Sequence, residues 1–177
     1  MRIKSIAFLA ALLLIGAFSN AAPPFMHMET GISLPDTIAG FNRGEAKPYQ
    51  GSADEGVAIP YRNDEIEATI FIRKINPKEF GSPQAIINDS LAVVKGMEQS
   101  GVYSNVKIYG SADDAATPGW SKGAFTATFQ ARFLMSFIYA TILKDYGIKL
   151  RISTPDPRKD GVQKFVSEFQ RIVNEFR

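Results

Sequence analysis

One run, from Ser136 to Lys144, constrains the fold more than any other part of the chain, because both of its faces are apolar. Its large side chains are Phe137, Ile138, Tyr139, Ile142 and Leu143. A strand with two apolar faces has to be covered on both sides, as the central strand of a layered domain is. We therefore expect a sheet that lies between two other layers.

The other predicted strands alternate between apolar and polar residues, which is the period-2 pattern of half-buried strands. The turn signal Asn63-Asp64 joins two of them into a β-hairpin, and Asp145-Tyr146-Gly147 is the predicted turn after the central strand. With the central run 136–144, the predicted strands are 56–62, 66–73, 105–109, 125–130 and 148–153. Residues 38–48 are taken as a further, first strand.

Two helices are predicted. Ser82-Pro83 combines a capping hydroxyl with a proline at the first helical position, and Gly101 is the expected end of that helix. Gly96, inside the helix, is interpreted as room for a strand to approach closely. The second helix is expected to start at Asp156-Pro157. Its apolar stripe recurs at helical spacing and comprises Val162, Phe165, Val166, Phe169, Ile172, Val173 and Phe176.

These elements predict an α+β domain, with a mostly antiparallel sheet of about six to seven strands flanked by two main helices. The element order, the opening segment 34–43 (LPDTIAGFNR) and the closing hairpin 141–154 carry a resemblance. The chain over 34–177 resembles the PsbP/Mog1-like α/β sandwich fold and a family of small exported bacterial proteins of uncharacterised function. The resemblance implies an accessory or binding role rather than a catalytic one.

The N-terminus has the pattern of a secretory signal peptide over residues 1–21. Arg2 and Lys4 precede an apolar run, and small residues lead to a cleavage site after Ala21. This predicts a periplasmic or secreted protein, and an uncleaved N-terminal anchor is the alternative. Residues 22–33 are expected to be a flexible lead-in, and 34–177 a single domain. No later segment is apolar enough to span a bilayer, so no transmembrane segment is expected after cleavage.

Charge and composition limit the chemistry. The chain carries 20 Lys+Arg and 18 Asp+Glu, and removal of Arg2 and Lys4 with the leader leaves equal numbers. A balanced chain argues against nucleic-acid binding, which needs a surplus of basic residues. The chain has no cysteine and one histidine, which excludes thiol catalysis and disulfides and argues against clustered metal sites. We therefore expect no cofactor and no metal.

The segment 119–123 (GWSKG) matches the nucleophile elbow of α/β-hydrolases, with Ser121 as the nucleophile. That mechanism needs a strand before the serine, a helix after it and a histidine downstream. Here a polar loop precedes Ser121, a strand follows, and His27 lies upstream. The preferred interpretation is a turn anchored by Trp120. A hydrolase that uses Ser121, or the carboxylates around the first hairpin, is the alternative function. These carboxylates are Asp54, Glu55, Asp64, Glu65 and Glu67, and their preferred interpretation is solvated protection of an edge strand.

Met26-His27-Met28 combines thioethers with an imidazole, which are ligands that suit copper. A single tract near a terminus leaves metal binding an open alternative.

The candidate ligand surface lies on the last two strands. Lys149 and Arg151 share one strand face, and Tyr139 and Thr141 lie on the neighbouring strand. Together they predict a basic, aromatic site for an anionic ligand or partner. The predicted function is an exported, non-enzymatic binding or accessory protein for an unknown envelope protein or small ligand. A structural component of an envelope assembly is a further alternative.

Overall fold

The run with two apolar faces lies inside a long strand in the middle of the sheet, as its pattern predicted. The computed structural model describes residues 23–49, 52–64, 66–156 and 160–177, and for 52–55 and 160 it describes the backbone only. In these ranges the strands are β1 (Phe25–Met26), β2 (Ser33–Leu34), β3 (Thr37–Ile38), β4 (Phe41–Arg43), β5 (Lys47–Tyr49), β6 (Ser52–Arg62), β7 (Glu67–Lys74), β8 (Ser104–Asp113), β9 (Ser121–Phe129), β10 (Arg132–Leu143) and β11 (Tyr146–Thr154). The helices are α1 (Pro83–Gln99) and α2 (Asp160–Asn174).

Nine of the described strands form one sheet, in the order β3-β4-β6-β7-β11-β10-β9-β8, with β5 paired to β6. The neighbouring strands pair antiparallel. The α+β class is therefore confirmed, but the sheet has more strands than the six to seven expected. The main cause is that the expected first strand, 38–48, is three short strands. Ala39 and Gly40, with φ of 48° and 84°, turn the chain back between the first two.

The predicted hairpin is formed by β6 and β7, with Ile59 opposite Ile70. Its alternation sends one set of side chains to a single face, where Ala68, Ile70 and Ile72 are fully buried. Period-2 patterning against one packed layer produces this arrangement.

Helix α2 covers that face. Phe165, Phe169 and Val166 are almost completely inaccessible to solvent, and the ring centroid of Phe165 lies 4.7 Å from that of Phe41. The apolar stripe predicted from the sequence is therefore confirmed as the buried face of this helix. Its described part begins at Asp160, and Asp156 is not helical, while Pro157 of the predicted start lies outside the described residues. Before it, the Thr154 hydroxyl accepts a hydrogen bond from the Asp156 amide, which holds that residue in a turn.

Helix α1 covers the opposite face and begins as predicted. The Ser82 hydroxyl accepts a hydrogen bond of 3.2 Å from the Ala85 amide, and Pro83 is the first helical residue. The helix ends at Gln99, and Gly101, two residues later, takes a φ of 75°.

The close approach between this helix and the sheet occurs at a different glycine from the one expected. A Cβ on Gly96 meets nothing within 4 Å, so the interpretation of this residue was wrong. A Cβ on Gly123, in β9, would lie 2.5 Å from the Cγ2 atom of Ile87. The glycine that allows the helix and the sheet to approach closely is therefore in the strand and not in the helix.

The expected flexible lead-in is also packed onto the fold where the structure describes it. Strand β1 pairs with β2, so that Phe25 lies opposite Leu34, and Ile32 between them is fully buried in the core. The carbonyl of Pro23 accepts a 2.6 Å hydrogen bond from Arg43. Burial of these apolar side chains stabilises a segment too short to show a pattern of its own.

Candidate functional site

Each helix covers about half of one face of the sheet, so the other half of that face has no helix of the described residues packed on it. Helix α1 packs on β9 and β10, where Ile87 and Leu91 meet Phe125 and Ile138. Helix α2 packs on the other face, over β6, β7 and β11. On the side of α1, residues of β7 and β11 are therefore only half-buried, whereas their neighbours on the α2 side are buried. The open halves are where a ligand can reach the sheet.

The structure separates the four residues predicted to form one ligand surface. Tyr139 and Thr141 lie opposite Leu150 and Ile148, on the α2 side. Lys149 lies opposite Ala140, and Arg151 opposite Ile138, on the α1 side. The prediction of a single surface was therefore wrong.

A shift in the turn explains this error. The predicted turn was Asp145-Tyr146-Gly147, but the observed turn contains only Lys144 and Asp145, and Leu143 pairs with Tyr146. Moving a turn by this amount changes every cross-strand partner. Because side chains alternate between faces, the odd-numbered residues of the two strands then lie on opposite faces.

On the α1 side, Lys149 lies between aromatic and hydroxyl groups. Its Nζ donates a 3.1 Å hydrogen bond to the Ser90 hydroxyl of α1 and lies 4.7 Å from the ring centroid of Phe71. The pKa of Lys149 is lowered to about 8, mainly by burial and then by Arg73, while Asp89 raises it and Arg151 lowers it by smaller amounts.

Two arginines flank this lysine on the same face. Arg73, two positions from Phe71 on β7, lies 3.7 Å from a carboxylate oxygen of Asp89 and 4.5 Å from the ring centroid of Phe80. Arg151, two positions from Lys149 on β11, donates a 2.9 Å hydrogen bond to the Tyr103 hydroxyl and lies 5.1 Å from the Phe125 ring. We call Arg73, Lys149 and Arg151 the cationic face. Sequence analysis missed Arg73, although its alternation with Phe71 and Thr69 placed all three on one side of the strand.

On the other face, Thr141 is fully buried and its hydroxyl donates a 2.8 Å hydrogen bond to the Gly119 carbonyl. It holds the loop before β9 and is not available to a ligand. Tyr139 lines a groove beside α2 and is 9% exposed. Burial raises the pKa of its hydroxyl, and the nearby Asp114 carboxylate raises it further.

A polar network that sequence analysis also missed lies beside Tyr139. The buried Asp114 carboxylate accepts a 3.0 Å hydrogen bond from the Gln170 amide and a 3.2 Å bond from Lys122. Burial raises the pKa of Asp114, but the bonds from Gln170 and Lys122 outweigh burial and lower it below its usual value. Trp120 anchors the adjoining turn, as predicted, by donating a 3.0 Å bond from its indole nitrogen to Asn174.

Ser121 opens strand β9 and is 1% exposed. Its hydroxyl donates a 2.9 Å hydrogen bond to the Asp113 carboxylate. The strand–turn–helix arrangement that exposes a nucleophilic serine is therefore not found around this residue.

His27 packs inwards, whereas Met26 and Met28 are 50% and 80% exposed. Its Nδ1 lies 3.0 Å from the Thr30 hydroxyl, and its ring makes an edge contact with Tyr146 at 5.2 Å. Burial lowers the pKa of His27, and the nearby Glu29 offsets part of that effect. The imidazole is therefore largely enclosed by the fold, whereas the two thioethers are open to solvent.

The carboxylates around the first hairpin include Asp64 and Glu67, which are exposed. Glu65 and the side chains of Asp54 and Glu55 lie outside the described residues. Among the described side chains, no group of three or more His, Asp or Glu residues is placed to hold a metal ion.

Comparisons with known proteins identify no family. No protein-family model matches the chain, and no curated protein matches it. A solved structure from Pseudomonas aeruginosa, of a protein of unknown function called PA94, is similar at 13% sequence identity with a TM-score of 0.35. The match covers 74% of this chain and 81% of that one. No helix in the described ranges is long and apolar enough to cross a bilayer.

Proposed function

We propose that this chain is an exported, non-enzymatic binding or accessory protein, and that it recognises a small oxyanion, such as a phosphate or carboxylate group, at the cationic face. The observation that carries this proposal is the grouping of three cations on an open half-face of the sheet. Among the described residues, the carboxylate of Asp89 pairs with Arg73 of this group, and its side chain is 47% exposed.

The electrostatics favour an anion at this position. Lys149 lies between two guanidinium groups, and like charges in a partly buried setting repel one another. An oxyanion relieves that repulsion and accepts charge-assisted hydrogen bonds, which are stronger than neutral ones. Because the Lys149 ammonium is recessed against Phe71 and Ser90, a small anionic group reaches it more readily than a folded protein surface does.

Export rests on the signal-peptide pattern of residues 1–21. Expression of the full chain in a bacterium, followed by fractionation and N-terminal sequencing, tests it. We expect an exported product that begins at Ala22. Recovery of a cytoplasmic product that still begins at Met1 contradicts export.

A titration with inorganic phosphate at pH 7 and low salt, followed by the amide NMR shifts of β7 and β11, tests anion binding. Lys149→Gln should weaken binding at least about 10-fold, because it removes a charged donor. Lys74→Gln is the matched control, since Lys74 is exposed at the end of β7, the strand that carries Arg73, and alternates to the other face. Unsaturable shifts, or equal weakening by both variants, contradict the site.

The proposal also predicts a pH dependence. Lys149 loses its charge as the pH rises through about 8, so phosphate affinity should fall there and be retained at pH 7. For the hydrolase alternative, Ser121→Ala is decisive: an esterase activity that this variant abolishes overturns the non-enzymatic role.

A further inference from the structure

A second open half-face, on the opposite side of the sheet, forms a groove between α2 and strands β9 and β10. A cavity of about 630 Å³ and a neighbouring one of about 410 Å³ are both lined by Lys122 and Tyr139. Each volume lies in the range typical of small-molecule sites. We call the two cavities together the tyrosine groove.

Tyr139 is the feature of this groove that points to a ligand. The side chain is about nine-tenths buried, and its hydroxyl makes no hydrogen bond with any residue that the structure describes. No polar side-chain atom in the described part of the chain is both sealed from solvent and unpaired, so this hydroxyl opens into the groove. A polar group in this position gains from a partner that the ligand supplies.

The charges that line the groove are already paired within the protein. Lys122 lies 3.2 Å from Asp114, and Arg171 bonds to both Glu168 and Glu175. Positive and negative side chains therefore balance, in contrast to the cationic face. Such a lining attracts no ion of either sign, but Lys122, 48% exposed, keeps protons to donate to a neutral oxygen.

The neighbouring cavity adds an aromatic wall. Tyr109 is 53% exposed and Phe137 is half-buried, and both line the cavity that shares Tyr139 with the first. Aromatic faces bind flat apolar surfaces, and the hydroxyl of Tyr139 and the ammonium of Lys122 bind oxygen atoms beside them. A neutral ligand with an apolar C–H face and a rim of hydroxyl groups matches both the aromatic wall and the polar groups beside it. A sugar ring has this chemistry.

We infer that the tyrosine groove binds a neutral carbohydrate, with a sugar ring stacked on the aromatic wall and its hydroxyl groups bonded to Tyr139 and Lys122. This site is separate from the cationic face and does not depend on it. It gives the protein two ligand surfaces, one for a neutral glycan and one for an oxyanion, on opposite faces of one sheet.

Calorimetric titration of the full chain with maltotriose, cellotriose and chitotriose tests the inference. We expect saturable binding of at least one of them. Tyr139→Phe should weaken it about 2- to 10-fold, since it removes one hydrogen bond, and Tyr109→Ala should weaken it about 5-fold. Because the lost hydroxyl has no hydrogen-bond partner among the described residues, Tyr139→Phe should leave the thermal midpoint unchanged, which separates lost binding from lost folding.

Two controls complete the experiment. Tyr146→Phe removes a tyrosine hydroxyl that does not line the groove, and Lys149→Gln impairs the cationic face alone. Both should bind the sugars as the parent chain does, so the two sites can fail independently. The inference is overturned if none of the three sugars binds, if Tyr139→Phe and Tyr109→Ala bind as tightly as the parent, or if adenosine binds in their place.

Discussion

Replacement of Lys149 by methionine should stabilise the fold at neutral pH. A pKa of about 8 in place of 10.5 means that charged Lys149 is disfavoured in the folded state by up to about 3 kcal/mol. The substitution gives up the bond to Ser90 and the contact with Phe71, each worth about 1 kcal/mol. The expected result is a net gain of about 1 kcal/mol in unfolding free energy at pH 7. Apolar replacement of buried charges has this effect elsewhere.

The pH profile provides a second signature of the same lysine. Its folded-state pKa is lowered, so between about pH 8 and 10.5 the unfolded chain binds more protons than the folded one. Unfolding free energy in the parent should therefore rise with pH across that window, and Lys149→Met should lack this rise.

Urea unfolding followed by the fluorescence of Trp120, the chain's one tryptophan, measures both effects. A loss of more than about 1 kcal/mol at pH 7, with parallel pH profiles in the two proteins, refutes the reasoning. A gain in stability together with lost phosphate binding is the pattern expected where a functional group is kept at the expense of stability.

Three other predictions concern positions outside the cationic face. Gly123→Ala should cost about 1–3 kcal/mol of unfolding free energy, because its Cβ meets Ile87. Gly96→Ala, in a helix with open space around it, should add up to about 1 kcal/mol. Denaturant unfolding measures both, and a change of the same sign in the two variants contradicts the packing described. Burial lowers the pKa of His27, so the unfolding free energy should fall as the pH drops below about 6.5. His27→Gln should make this fall smaller. Identical profiles of unfolding free energy against pH in parent and variant contradict this role of His27. Ser121→Ala should cost about 1 kcal/mol, through the lost hydrogen bond to β8, and leave both binding sites unchanged in the same titrations.

Much of the layered fold could be predicted from local patterns. Within a single element, the spacing of apolar residues shows which of its faces are buried. This holds for the run around Ile138, for the alternation of β7 and for the apolar stripe of α2. Helix α1 begins at Pro83 because the capping hydroxyl of Ser82 acts within one turn. Signals of this kind need no knowledge of distant residues.

The candidate site depended on pairings that local patterns do not contain. The face of the sheet on which Lys149 lies depends on the turn that Leu143 and Tyr146 close. A turn one residue longer places Lys149 on the same face as Tyr139. Gly123 is needed only because α1 packs over it, so the helix sequence itself pointed to the wrong glycine. Ile32 is likewise buried by its tertiary contacts with the core, and no apolar periodicity around it in the sequence indicates this.

The pKa of the Lys149 ammonium, measured by NMR of its side-chain nitrogen with and without saturating phosphate, tests the central claim most directly. The cationic face predicts a value near 8 in the free protein and a clear rise when phosphate is bound, because an anion offsets burial and the flanking arginines. A value near 10.5 that phosphate leaves unchanged contradicts the account.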